Sequence, residues 1–319
     1  MHLLEGKESA LARMPGARST DILLAAPSSE TLIYLIHGVT GTPLEMKYLG
    51  RRLFRHGWNV YLPTLPGHCS RYREMVDSDE KEWLSHVEMQ LSYARLHCRN
   101  LFVAGLSAGA LLALEASLRV PVEGIGVFSP TLFYDGWNVP WTLKLLPFGI
   151  KCLPNFLQRW FFHIDGAPYG IKDPALQGRI REAYHPVALM KGTLGRYFPR
   201  AHGSVQSPER SRSSEAVGYP LFSLKTLADL DRMYAQVRDH LHRVTAPTLI
   251  LQAKEDDFTS PKNAEFIYRA IASEEKELIL LDDCYHVITV DKQRDRVAEE
   301  MARFVERQSR PSENDDLDV

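Results

Sequence analysis

Apolar positions along this chain fall into two recurring patterns. Unbroken runs at Thr31 to Ile36, Leu101 to Ala104, Gly124 to Phe128, Pro247 to Gln252 and Leu278 to Leu281 predict strands buried on both faces. A further strand over Trp58 to Leu62 is closed by Pro63 and Pro66-Gly67. Between these runs the apolar residues recur three and four apart, the spacing of a helix with one buried face. Trp83, Val87, Leu91, Ala94 and Cys98 mark such a face over residues 79–98, and Asp77 with Glu80 predicts a capping box at its start. Pro43 suits the first turn of a helix running to about His56. Two more helices are predicted, from Asn263 to Ala272 and from Lys292 to Arg307.

The alternation breaks at Ser129-Pro130 and resumes only near residue 241. The intervening stretch carries no buried-strand pattern but many aromatic residues, namely Phe133, Tyr134, Trp137, Trp141, Phe148, Phe156, Trp160, Phe161, Phe162 and Tyr169. Alternating strands and helices imply an α/β protein with a doubly wound, mostly parallel sheet. The expected organisation is a discontinuous core, residues 1–129 and 241–319, with a helical insert over 130–240 acting as a cap between the two halves. No internal repeat is present, and the polar, acidic tail from Ser309 to Val319 is expected to be disordered.

Composition narrows the function. An apolar fraction of 45% suits a globular protein with a substantial core. A net charge of −2 gives no footing for nucleic acid as a partner. The four cysteines (Cys69, Cys98, Cys152 and Cys284) show neither metal-ligand spacing nor a disulfide framework, which suits a reducing compartment. No run approaches the ~20 apolar residues of a membrane span, and Met1 to Ser19 lacks a signal-peptide core. A cytoplasmic location is the expectation.

Chemistry concentrates at Gly105-Leu106-Ser107-Ala108-Gly109, which joins a predicted strand to the apolar run Ala110 to Leu114. A serine between two glycines at a strand-to-helix junction reads as a nucleophile elbow. The tight turn needs residues without bulky side chains two places either side of Ser107. The Ala108 N–H and the positive end of the helix then face any oxyanion formed there. A serine hydroxyl needs a base, and the base an orienting acid. In a serine–acid–histidine chain order, the loop after the strand ending at Gln252 offers Asp256 and Asp257. The loop after Leu281 offers His286.

The combination resembles a serine hydrolase of the α/β-hydrolase superfamily, and most of all its bacterial carboxylesterase and monoacylglycerol-lipase branch. His37-Gly38-Val39-Thr40-Gly41-Thr42-Pro43, Gln252 to Asp257, and Tyr285-His286-Val287-Ile288-Thr289-Val290-Asp291 match loops of that branch. The resemblance implies Asp256 as the acid, with Asp257 as the fallback. It also implies an oxyanion hole from the backbone N–H groups of Val39 and Ala108. No cofactor and no metal are implied. The expected substrate is a small hydrophobic ester, cleaved through an acyl-enzyme on Ser107. An acyl thioesterase or acyltransferase with the same triad is the alternative within the enzyme class, and a non-catalytic ligand receptor is the alternative outside it.

Two positions depart from the branch. Val39 stands where phenylalanine is usual and Tyr285 where glycine is usual, which changes the walls of the site rather than its chemistry. His37 and His68 are expected to be structural, and Cys69 and Cys284 apolar fillers. Lys191, Arg196, Arg200, Arg210 and Arg212 are expected to form a solvated basic loop.

Overall fold

The computed structural model describes residues 10–139, 150, 153–164, 166–184 and 218–309. Trp141, Phe148, the basic residues from Lys191 to Arg212, and all of the C-terminal tail beyond Ser309 lie outside them. In chain order the strands are β1 (Ile22–Leu24), β2 (Thr31–Ile36), β3 (Asn59–Leu62), β4 (Asn100–Leu106), β5 (Gly124–Phe128), β6 (Phe162–Ile164), β7 (Leu221–Ser223), β8 (Thr248–Ala253) and β9 (Lys276–Leu281). The helices are α1 (Leu44–Phe54), α2 (Tyr72–Asp77), α3 (Glu80–Arg95), α4 (Ala108–Ser117), α5 (Asn155–Gln158), α6 (Pro174–Ala183), α7 (Leu224–His240), α8 (Lys262–Ala270) and α9 (Arg294–Gln308). Among the described residues no helix is long and apolar enough to cross a membrane.

Seven strands form one sheet in the order β1-β3-β2-β4-β5-β8-β9, all parallel except the edge strand β1. The continuous apolar runs are explained by what covers each face. Leu32, Tyr34 and Ile36 of β2 share a core with Val103 and Val127 and with side chains of α3, α4 and α7. Ile33 and Leu35 point the other way, toward Met46, Leu49 and Leu53 of α1 and Val297, Met301 and Val305 of α9. Each such fully buried aliphatic side chain contributes roughly 1.5–3 kcal/mol relative to exposure. Period-2 alternation therefore vanishes in the inner strands, because neither face meets water, whereas the edge strand β9, expected to be buried on both faces, has only Leu281 fully buried.

Three local expectations change. Asp79, not Asp77, caps α3: its carboxylate accepts from Lys81 N at 3.1 Å and Glu82 N at 2.9 Å, while Asp77 is the last residue of α2. Asp79 takes the extended conformation that a cap requires, and Glu80 is buried against Arg232 instead of closing a box. Second, β1 and α2 carried no readable periodicity, being three and six residues long. Third, α7 falls inside the expected insert yet packs against α3 and α4. Its Leu227, Leu230, Met233, Tyr234 and Val237 are buried in the same core as α3 and α4. A separate two-stranded pairing, β6 with β7, lies in the segment before α7.

Two glycines show how tightly β4 enters α4. A Cβ at Gly105 would overlap the carbonyl of Gly109, and one at Gly109 would come within 2.5 Å of His37 O and 2.6 Å of Ile36 O. Backbone, not a movable side chain, is the obstacle in each case. We expect Gly105→Ala to destabilise the fold by about 1–3 kcal/mol or more, seen as a lowered Tm by calorimetry. Gly178→Ala, with nothing near its Cβ position and a helical backbone, is expected to stabilise by about 0.5–1 kcal/mol.

Candidate active site

β4 and α4 meet at Ser107, which adopts φ 56° and ψ −118°. For a residue with a Cβ this is a strained conformation, costing on the order of 1–3 kcal/mol. It persists because Gly105 and Gly109 allow the close approach and because Ser107 N donates to Phe128 O at 2.8 Å. The residue is 8% exposed, at the N-terminal end of α4. Its hydroxyl is hydrogen-bonded to Thr131 Oγ1 at 3.0 Å. No hydrogen bond joins it to His286, although both residues line one cavity of about 300 Å³.

His286 and Asp256 come from the loops after β9 and β8. The imidazole Nδ1–H donates to Asp256 Oδ2 at 2.9 Å and lies 3.1 Å from Oδ1. That tautomer leaves Nε2 free to accept a proton. Asp256 is held rigidly in turn: Phe258 N, Thr259 N, Gln252 Nε2 and the Thr259 hydroxyl all donate to its carboxylate, at 2.8–3.2 Å. Burial alone would lower the His286 pKa, but the facing carboxylates of Asp256, Asp257 and Glu45 outweigh it and raise the pKa above that of ordinary histidine. Asp257 does not touch the imidazole. It accepts instead from the backbone of His286, at 3.4 Å, and of Gly170, at 3.1 Å, and burial raises its carboxyl above the usual range.

The turn after β2 supplies the third part. Gly38 N donates to Glu45 Oε2 at 3.1 Å, Thr40 N to His68 Nε2 at 3.2 Å, and Gly41 N to Gly38 O at 3.1 Å. Two amides beside Ser107, those of Val39 and Ala108, have no hydrogen-bond partner among the described residues. Amides left unpaired at a helix N-terminus are suited to an anion.

His37 and His68 are tied into the backbone of this turn. His37 Nε2 accepts from Leu65 N and its Nδ1 lies 2.7 Å from Gly38 O, while His68 Nδ1 lies 3.0 Å from Pro66 O. Both rings are therefore neutral Nδ1–H tautomers. Burial lowers their pKa values to about 3 and about 4. Glu45, half-buried under the same turn, is pushed by burial up to about 7.

The five residues expected from sequence thus occupy one place, with Ser107 and His286 not yet in contact. Several other residues of the site carry no clear sequence signal. Thr131 has no sequence signal beyond following the Ser129-Pro130 break. Glu45 reads as an ordinary first-turn acid. Asn138 and His163 line the cavity from a stretch with no strand pattern in the sequence, together with Leu106, Leu230 and Phe258. Cys284 is a buried filler as expected, burial raising its thiol to about 12.

Comparison with known proteins places this geometry in context. The family model described as serine aminopeptidase, S33 (Hydrolase_4) matches residues 27–293. A thermostable monoacylglycerol lipase of Bacillus sp. (strain H-257) is 27% identical over 272 residues, 85% of this chain and 89% of the lipase. A carboxylesterase of Bacillus subtilis (strain 168) is 25% identical over 276 residues, 86% of this chain and 92% of the esterase. Among solved structures, one from a study of the metagenome-derived lipolytic enzymes LipS and LipT superposes with a TM-score of 0.68 at 25% identity, covering 92% of this chain and 99% of that one.

The hydrogen-bond assignments make the three histidines distinguishable in solution. We expect imidazole nitrogen NMR to show His37 and His68 neutral from pH 8 down to pH 5. His286 is expected to take up its proton above pH 6.5.

Proposed function

The chain belongs to the Hydrolase_4 family, serine aminopeptidase S33 by description, and on that premise we propose that this α/β-hydrolase cleaves carboxylic esters bearing a hydrophobic acyl or alcohol group. The observation that carries the proposal is a shared cavity: Ser107, at a strained elbow, and His286, bound to Asp256, line it together. The names of the two Bacillus relatives support ester chemistry over the peptide chemistry of the family description.

In the proposed reaction the Ser107 hydroxyl leaves Thr131 by rotation about χ1 and turns toward His286 Nε2. Its oxygen attacks the ester carbonyl as Nε2 takes the proton. The tetrahedral oxyanion is received by the Val39 and Ala108 N–H groups, donors fixed before the substrate arrives. Asp256 stabilises the imidazolium and holds its tautomer. The imidazolium then gives its proton to the departing alkoxide, leaving an acyl-serine. Water, deprotonated by the same nitrogen, attacks the acyl carbon, and the carboxylic acid departs as Ser107 regains its proton.

The described residues between β5 and α7, 129–139, 150, 153–164, 166–184 and 218–223, are proposed to contribute to a cap. Asn138, His163, Tyr169 and Phe222, all from it, line the cavity above Ser107.

Ser107→Ala is expected to lower kcat on p-nitrophenyl esters about 10⁴- to 10⁶-fold without lowering Tm, as in other triad enzymes. A fluorophosphonate should add once to the wild type, at Ser107, and not to the variant. Near-normal turnover in the variant would remove Ser107 from the mechanism. Faster turnover of aminoacyl p-nitroanilides than of esters would shift the assignment to peptide bonds. Because His286 acts as the base only when neutral, and its pKa is raised, kcat/KM should fall with acid along a limb whose midpoint lies above pH 6.5.

A further inference from the structure

Three consecutive peptide N–H groups centred on His286 are each taken by a different acceptor. Tyr285 N donates to Asp291 Oδ2 at 2.8 Å, His286 N to Asp257 Oδ1 at 3.4 Å, and Val287 N to Gly170 O at 2.7 Å. The same acceptors reach across to residues 170–173 of the cap segment. Gly170 N donates to Asp257 Oδ2 at 3.1 Å, Lys172 N to Asp291 Oδ2 at 2.8 Å and Asp173 N to Asp291 Oδ1 at 3.0 Å. Asp257 and Asp291 are buried, at 4% and 1% exposure. Each carboxylate therefore joins the histidine loop to the cap backbone, the two together accepting from five of these six N–H groups, with Val287 N taken by Gly170 O.

Gly170 shows how close the approach is. Its φ is +70°, a conformation that disfavours side chains, and a Cβ there would lie 2.8 Å from Val287 Cγ2 and 3.1 Å from His286 Cβ. On the solvent side, Lys172 Nζ pairs with Glu255 at 2.7 Å and Asp283 at 3.1 Å, one from the acid loop and one from the histidine loop. Those outer pairs are half-exposed and of small worth alone. The buried carboxylates are different, because losing Asp257 leaves two backbone N–H donors unpaired and losing Asp291 leaves three.

We propose that Asp257 and Asp291 are positioning residues that brace the peptide of His286 against residues 170–173, so that the imidazole is held in place only while the cap segment is docked. The brace rests on the reading of His286 as the base. It gives Asp257 a role distinct from that of its neighbour Asp256: Asp256 holds the ring, and Asp257 holds the peptide that carries it. Opening of this part of the cap would withdraw support from the base, so reaction is confined to the closed enzyme.

The test uses Asp257→Asn, Asp291→Asn and Gly170→Ala in the full chain. For each, kcat on a p-nitrophenyl ester is expected to fall about 10- to 100-fold with KM within about twofold, since the lost quantity is alignment of the base rather than binding. Fluorophosphonate labelling of Ser107 should slow in parallel. Amide exchange of residues 285–287 should quicken relative to the strands of the sheet. Asp257→Asn also removes a charge facing His286 and should move the acid limb to lower pH, with Asp256 and Glu45 still in place. Asp291→Asn should leave that limb where it is.

Cooperatively melting variants with wild-type kcat and wild-type exchange at 285–287 would overturn the brace. So would a loss of kcat that tracks only the unfolded fraction. If neither aspartate variant folds, Gly170→Ala decides by the same two readouts. A wild-type enzyme that takes no fluorophosphonate at Ser107 counts against the acyl-enzyme instead, and the exchange rates alone then judge the brace.

Discussion

Where β4 turns into α4, backbone is packed against backbone with no room for a Cβ at Gly105 or Gly109. That steric constraint drives Ser107 to a positive φ and lifts its hydroxyl out of the sheet, at the end of a helix whose first amide is unpaired. The same closeness brings the turn after β2 alongside, because Gly109 sits against the carbonyls of Ile36 and His37. Ser107 and both candidate oxyanion donors are thus fixed by one packing event in the centre of the sheet. Parallel order carries the rest. The acid and histidine loops follow β8 and β9, whose carboxyl ends open on the same edge as that of β4. Such sites recur outside the carboxyl ends of parallel strands for this topological reason.

Around that centre the polar groups sort by what they can reach. Neutral His37 and His68 spend their ring nitrogens on backbone, which makes them pins of the turn rather than proton carriers. His286 is equally buried, but its charged form is favoured because three carboxylates face it. One fold thereby holds three buried imidazoles in opposite protonation regimes, and the difference lies in acceptor chemistry, not in depth. The Ser107 hydroxyl is meanwhile satisfied by Thr131 rather than by His286.

Much of this was legible in the residues, for identifiable reasons. Buried parallel strands announce themselves as continuous apolar runs, and the elbow needs two glycines at fixed distances from one serine. Adjacent Asp256 and Asp257 could not be separated by composition or spacing. Their division of labour depends on the turn that points one carboxylate at the imidazole and the other at two backbone amides. The place of α7 was illegible for a related reason: the spacing of Leu227, Leu230, Met233 and Val237 reveals a buried face but not the surface that buries it. Short elements such as β1 lack enough residues to show a period. Thr131 and Glu45 become site residues only through contacts distant in sequence.

The central claim is that Ser107 and the amides of Val39 and Ala108 form one reaction centre with the Asp256-bound His286. The most direct measurement is a crystal structure of the phosphonylated enzyme, whose tetrahedral phosphorus mimics the intermediate. The account requires a covalent bond from Ser107 Oγ, the phosphoryl oxygen within hydrogen-bonding distance of Val39 N and Ala108 N, and His286 Nε2 turned to the leaving-group side. A phosphoryl oxygen pointing away from those two amides, or an adduct on any other residue, would contradict it.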